Sequence, residues 1–170
     1  MKRLPGFFLL LLISSVSYAD LDYYQAKVRG DKQSNLMDVV QAKTMAEARS
    51  IFDARYPGGQ YSSVRRLDPE AGYEWYVARV TVGGQNAVDT TLAKNSGEAR
   101  RVFTGRFQNG RIVSLCELRT AANYEFYEST IHSGDKTVED VAFAEDAVDA
   151  RKAFEVRYPD GRIGSLRKVK

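Results

Sequence analysis

A pattern of 51 residues is written three times in succession, and no other feature of the chain constrains its fold as tightly. Ala48-Arg49, Ala99-Arg100 and Ala150-Arg151 superimpose at a constant offset of 51. At that offset Phe52, Phe103 and Phe154 coincide, as do Arg55, Arg106 and Arg157, then Tyr56, Phe107 and Tyr158. Gly59, Gly110 and Gly161 follow, then Ser63, Ser114 and Ser165. Upstream, the gapless alignment sets Tyr24 over Trp75 and Phe126, and Ala42 over Ala93 and Ala144. Tandem self-similarity of this kind marks a chain built from one supersecondary unit, each copy burying part of its surface against the others.

Each unit opens on a run led by aromatic and β-branched residues: Tyr23 to Val28, Trp75 to Val80 and Phe126 to Ile131. Such residues favour strands. A Gly-bearing turn and a second short run follow, which together read as a hairpin. Thr44, Asn95 and Asp146 then share one repeat position, with Glu47, Glu98 and Asp149 three residues later. A side-chain acceptor at a helix start satisfies a free N–H, and an acid there favours the positive end of the dipole, so three helices are expected to begin at these sites. Ala48, Phe52 and Tyr56, with their counterparts, are four apart and line one helix face. A Gly/Pro-bearing stop and a third strand complete the unit. The apolar positions Tyr61, Val64 and Leu67 in that strand are three apart, a spacing that a bulge explains. The expected class is α+β: three tandem ββαβ repeats over 20–68, 72–119 and 123–170. Each is a three-stranded antiparallel sheet of order 2-1-3 covered by one helix. A unit of about 50 residues is marginal as an independent core, which leaves open one packed body or separate beads.

Residues 1–19 have a basic start, an apolar run from Leu4 to Val16, and Ser17-Tyr18-Ala19 before Asp20. That is the pattern of a cleaved secretory signal peptide, and the run is short for a membrane span of about 20 residues. Export to a periplasm or outer envelope is the expected localisation. Cleavage removes Lys2 and Arg3, taking the 25 Lys+Arg to 23 against 22 Asp+Glu, a formal +1. The basic balance that would argue for nucleic acid therefore largely disappears with the leader. The single Cys116 cannot close an internal disulfide; it is either a buried thiol or a link to another chain. The single His132 cannot build a histidine metal site.

Two sets of residues invite a functional reading. Arg55, Arg106 and Arg157 point only about 20° away from the Ala48 position on a helical wheel, inside the apolar stripe. Their stems would pack on the sheet with the charged heads at its edge or on the last helix carbonyls, or the heads would contact an anion or carboxylate once per unit. Alternation along the first strand puts Tyr76 and Tyr127 on the face away from the helix, if Tyr24, Trp75 and Phe126 face it. Exposed rings there would be candidates for binding a sugar, a peptide or a partner protein, unless the next repeat covers that face.

No phosphate loop and no Ser/His/Asp or Cys/His set is present, so catalysis is not expected; neither is a cofactor or metal. The leading expectation is an exported non-enzymatic protein that presents repeated surfaces to a protein partner, as part of an envelope secretion, conjugation or pilus assembly. A polymer-binding module for peptidoglycan or single-stranded DNA, or a secreted inhibitor, stays open beside it. Trp75-Tyr76-Val77 with the small helix after it resembles one strand of the SPOR peptidoglycan-binding domain. The likeness ends at that strand because the element order departs from that family's, and no residue role is carried over.

Overall fold

Each hydrophobic run and each cap forms the element its chemistry favours. A computed structural model describes residues 21–30, 33–56, 60–68, 72–119 and 123–169, so the expected leader lies outside the described residues. The first repeat contains β1 (Asp22–Gly30), β2 (Gln33–Ala42), α1 (Met45–Arg55) and β3 (Gln60–Leu67). The second contains β4 (Glu74–Val82), β5 (Gln85–Ala93), α2 (Ser96–Arg106) and β6 (Gly110–Glu117). The third contains β7 (Glu125–Ser133), β8 (Lys136–Ala144), α3 (Ala147–Arg157) and β9 (Arg162–Lys168). The three sheets run β2-β1-β3, β5-β4-β6 and β8-β7-β9, antiparallel throughout, as the repeat pattern predicts.

The helix starts are set by their caps. The Thr44 hydroxyl accepts from Glu47 N at 3.1 Å, and the Glu47 carboxylate accepts from Lys43 N at 2.9 Å. Asn95 and Glu98 repeat the exchange, and Asp146 accepts from both Val148 N and Asp149 N. Each cap satisfies N–H groups that the first helical turn leaves free. The apolar face then buries Phe52, Phe103 and Phe154 completely, each at 0 % exposure in its own core cluster.

The third strand carries the expected bulge in all three copies. Its register against the central strand slips between Gln25 and Lys27, between Arg79 and Val80, and between Ser129 and Ile131. One extra residue on β3, β6 and β9 resets the alternation, which is why the inward positions are three apart rather than two. At the slip, Ser63 has φ of 59°, and a Cβ on Gly164 would lie 2.8 Å from the Thr130 carbonyl oxygen. The bulge crowds the backbone against the central strand.

The structure corrects the gapless alignment at one place. Asp38 pairs with Ala26, Asp89 with Ala78 and Asp140 with Ser129. The first hairpin is thus one residue longer, and it absorbs the difference at an irregularity between Val28 and Gly30. Tyr24 is the counterpart of Tyr76 and Tyr127, not of Trp75 and Phe126. These three tyrosines join the cores beneath the helices, with 6 %, 6 % and 8 % exposure. The expected outward facing of Tyr76 and Tyr127 is reversed, because one inserted residue moves a whole strand's side chains to the other face. Trp75 and Phe126 take the opposite face, where both rings pack on Phe143 at 4.5 and 4.7 Å between centroids.

The units close on one another in a cycle. α1 packs on β8 as well as on its own sheet, α2 on β2 and α3 on β5. The inner edge strands β2, β5 and β8 also touch pairwise. Every repeat therefore meets both others around a common axis, and the open choice between beads and one body resolves to one body. The equivalent positions Ala54, Gly105 and Val156 make this fit. Ala54 enters the third repeat's core, Val156 enters the second's, and Gly105 lies against Leu36 of the first. A Cβ on Gly105 would sit 2.2 Å from Leu36 Cδ2.

Candidate functional site

Three charged side chains per sign converge on that axis. Asp38, Asp89 and Asp140 stand at one position of β2, β5 and β8 and are 0–1 % exposed; Arg55, Arg106 and Arg157 end the three helices and are 5–9 % exposed. The helix stripe and the strand alternation aim both sets inward.

Each arginine bridges its own aspartate to that of one neighbour. Arg55 donates to Asp140 through Nε at 3.1 Å and Nη2 at 2.6 Å, with Asp38 of its own repeat 3.5 Å from Nη1. Arg106 donates to Asp38 through Nε at 3.2 Å and Nη2 at 2.5 Å, and to its own Asp89 at 3.0 Å. Arg157 donates to Asp89 through Nε at 3.1 Å and Nη2 at 2.5 Å, and to its own Asp140 at 3.2 Å. First repeat to third, third to second, second to first: the ring closes. The two-pronged contact to the neighbour suits the planar guanidinium fork, which an ammonium could not reproduce.

The surroundings keep the three aspartates, Arg55 and Arg106 charged. Burial on its own would raise the aspartate pKa values, but the adjacent arginines outweigh it and hold Asp38, Asp89 and Asp140 below the ordinary carboxylate range, Asp140 at about 2. Burial would likewise lower Arg55 and Arg106, and the facing aspartates reverse that too. Tyr56 donates to Asp38 and Tyr158 to Asp140, each at 2.8 Å. Burial, then the nearby carboxylate, raises both phenols. The second repeat has Phe107 at this place, so Asp89 lacks the phenol donor. The guanidiniums of Arg106 and Arg157 also lie over the Phe103 and Phe154 rings, at 5.8 and 5.6 Å from the centroids.

A buried ion pair offers little net stability against a hydrophobic replacement, yet a buried charge left without its partner is costly. The ring therefore penalises any open arrangement of the three units, since opening one seam strands charges on both sides. The arginine heads reach neither a sheet edge nor the last helix carbonyls; each contacts a carboxylate, as the second expected reading had it, but those carboxylates belong to the protein itself. The sequence reading missed the aspartates, although Asp38, Asp89 and Asp140 recur at the same offset of 51 within apolar strand runs.

The outward surface has different properties. Among the described residues β3, β6 and β9 end their sheets, each hydrogen-bonded to a strand on one side only. On β3, Arg65 donates to Gln25 and Arg66 pairs with Asp22. On β9, Arg167 pairs with Glu128 and Lys168 with Glu125. β6 has Cys116 and Glu117 at those positions, and Val113 at its bulge is 53 % exposed. Cys116 is an exposed free thiol, so the buried alternative is not the one observed. Beside this strand an open groove of about 430 Å³ is floored by Val88 and Val113 and flanked by Arg79 and Lys152. Among the described residues no group of three or more His, Cys, Asp or Glu is placed to hold a metal ion, and no helix is long and apolar enough to cross a membrane.

No protein-family model, curated protein or solved structure matches this chain.

Proposed function

We propose that this chain is an exported, non-enzymatic binding protein, a rigid three-unit hub that offers its outer strands to a protein partner in a cell envelope, within a secretion, conjugation or pilus assembly. The observation that carries the reading is the strand order. With β2, β5 and β8 in contact at the axis, it leaves β3, β6 and β9 outermost, with no strand paired on their far side among the described residues. A strand with free N–H and C=O groups is a template for an added strand, and proteins ordinarily blunt such edges with cations. β3 and β9 carry such cations in Arg65-Arg66 and Arg167-Lys168, whereas β6 carries Cys116-Glu117 and an exposed Val113. β6 is therefore the edge assigned to the partner.

The test is a photo-crosslinking residue placed at Val113, and in separate variants at Ser62 and Ser165, in the full chain expressed in its own host. The reading expects one discrete protein adduct from Val113, absent from the other two positions and lost when Ser114→Lys is added. Retention on isolated cell-wall sacculi, or salt-sensitive binding to single-stranded DNA, with no protein adduct, would replace this reading with the polymer-binding one.

A further inference from the structure

The threefold symmetry of the charged axis is imperfect, and the imperfections gather around one small cavity. A narrow space of about 10 Å³ is lined by residues of the three inner strands and the ring, among them Gln41, Leu92, Phe143, Arg55 and Arg157. Gln41, Leu92 and Phe143 occupy the same repeat position. Two units thus place an apolar side chain at the axis, and the first places an amide. Gln41 is 7 % exposed and has no side-chain hydrogen-bond partner among the described residues.

The arginines are unequal in the same direction. A guanidinium has five N–H donors. Those of Arg106 are all used, on Asp38, Asp89, the Thr90 carbonyl and the Thr91 hydroxyl. The counterparts of Thr91 are Val40 and Ala142, which supply no hydroxyl. Arg157 accordingly makes four such bonds, on Asp89, Asp140 and the Val141 carbonyl. Arg55 makes three, all to carboxylates, and the contact to Asp38 is the longest in the ring at 3.5 Å. Buried donors and amides of this kind are met by a partner in folded proteins, because leaving them bare forfeits the hydrogen bonds they made to water.

We propose that the axial cavity binds one water molecule as a fixed part of the fold, hydrogen-bonded to the Gln41 amide and to the spare N–H groups of Arg55. Its volume is about the minimum that admits a single water, and too small for a polyatomic anion. Three arginines face three aspartates here, so the site offers no net positive charge to hold a free anion. Water also uses both halves of the amide, whereas a halide would leave the Gln41 carbonyl unpaired. The first unit, which has Val40 in place of Thr91, thus replaces a protein acceptor with solvent.

The experiment counts long-residence waters in the full chain by oxygen-17 magnetic relaxation dispersion, in the wild type and in Gln41→Leu, which copies the residue of the second repeat. Gln41→Met serves in its place if the leucine variant does not fold. The expected result is one fewer trapped water in the variant, with crystals grown in bromide showing no anomalous peak on the axis. Equal water counts, or a bromide peak between Gln41 and Arg55, would overturn the proposal, the second by making the site a halide site.

Discussion

Asp140→Ala is the sharpest perturbation of the ring. This carboxylate accepts from Arg55 Nε at 3.1 Å and Nη2 at 2.6 Å, from Arg157 Nη1 at 3.2 Å, from the Tyr158 hydroxyl at 2.8 Å and from Val141 N at 2.7 Å. Truncation leaves Arg55 with one contact to a protein carboxylate, Asp38 at 3.5 Å, in a place where its side chain is 2 % exposed. Breaking a buried pair from one side costs about 3–5 kcal/mol, a large share of the roughly 5–15 kcal/mol by which domains are stable. The control is Asp22→Ala, which removes the partner of Arg66, a side chain 70 % exposed; such a pair contributes about 0–1 kcal/mol. Urea unfolding followed by circular dichroism reads both. Asp140→Ala should lower the midpoint strongly, Asp22→Ala barely. Equal and small losses, below about 1 kcal/mol each, would refute the assignment of Asp140 as a buried anchor between two units.

Three further outcomes follow from the same geometry. The folded chain holds the ring carboxylates below their unfolded values, Asp140 at about 2, so their contribution is complete above the unfolded carboxyl pKa and is lost as pH falls through the folded one. For Asp140 alone the linkage is on the order of 2 kcal/mol, and urea midpoints should hold from pH 7 to about 5 and then drop steeply toward pH 2. Phe107→Tyr would give Asp89 the phenol donor that Asp38 and Asp140 already have, and should stabilise by about 0.5–1.5 kcal/mol; a loss of stability in thermal unfolding would show the ring position cannot take the hydroxyl. Gly105→Val, which drives side-chain atoms into Leu36, should destabilise by about 1–3 kcal/mol, although the third repeat buries Val156 at the same position.

The fold was legible because its signals are local and came in triplicate. The caps at Thr44, Asn95 and Asp146, the Phe52 face and the three-residue spacing of Tyr61, Val64 and Leu67 each reflect a backbone requirement that a short window can display. The strand facing failed where it depended on one added residue in the first hairpin, which gapless comparison hides and which flips Tyr76 and Tyr127 from solvent to core. The ring itself was half visible. Arg55, Arg106 and Arg157 stood out inside an apolar stripe, but their partners lie 85 or 68 residues away as well as within the same unit. Charge alone does not say whether it meets solvent or an opposite charge, and only the paired recurrence of Asp38, Asp89 and Asp140 in apolar runs could have suggested the answer. β6 differs from its sisters at Cys116 in the sequence, whereas its place at an outer edge comes from the tertiary arrangement.

Closure of the first unit onto the third is the claim on which the ring, the axial cavity and the outward strands all depend. Asp53 and Lys136, an ion pair across that seam at 3.8 Å, give a direct probe: both changed to cysteine in a Cys116→Ser background, then treated with a short bis-maleimide at low protein concentration. The account predicts rapid crosslinking within one chain, seen as a monomer of altered gel mobility whose linked peptides join the first and third repeats. Crosslinks found only between chains, or none at all in a folded protein, would contradict it.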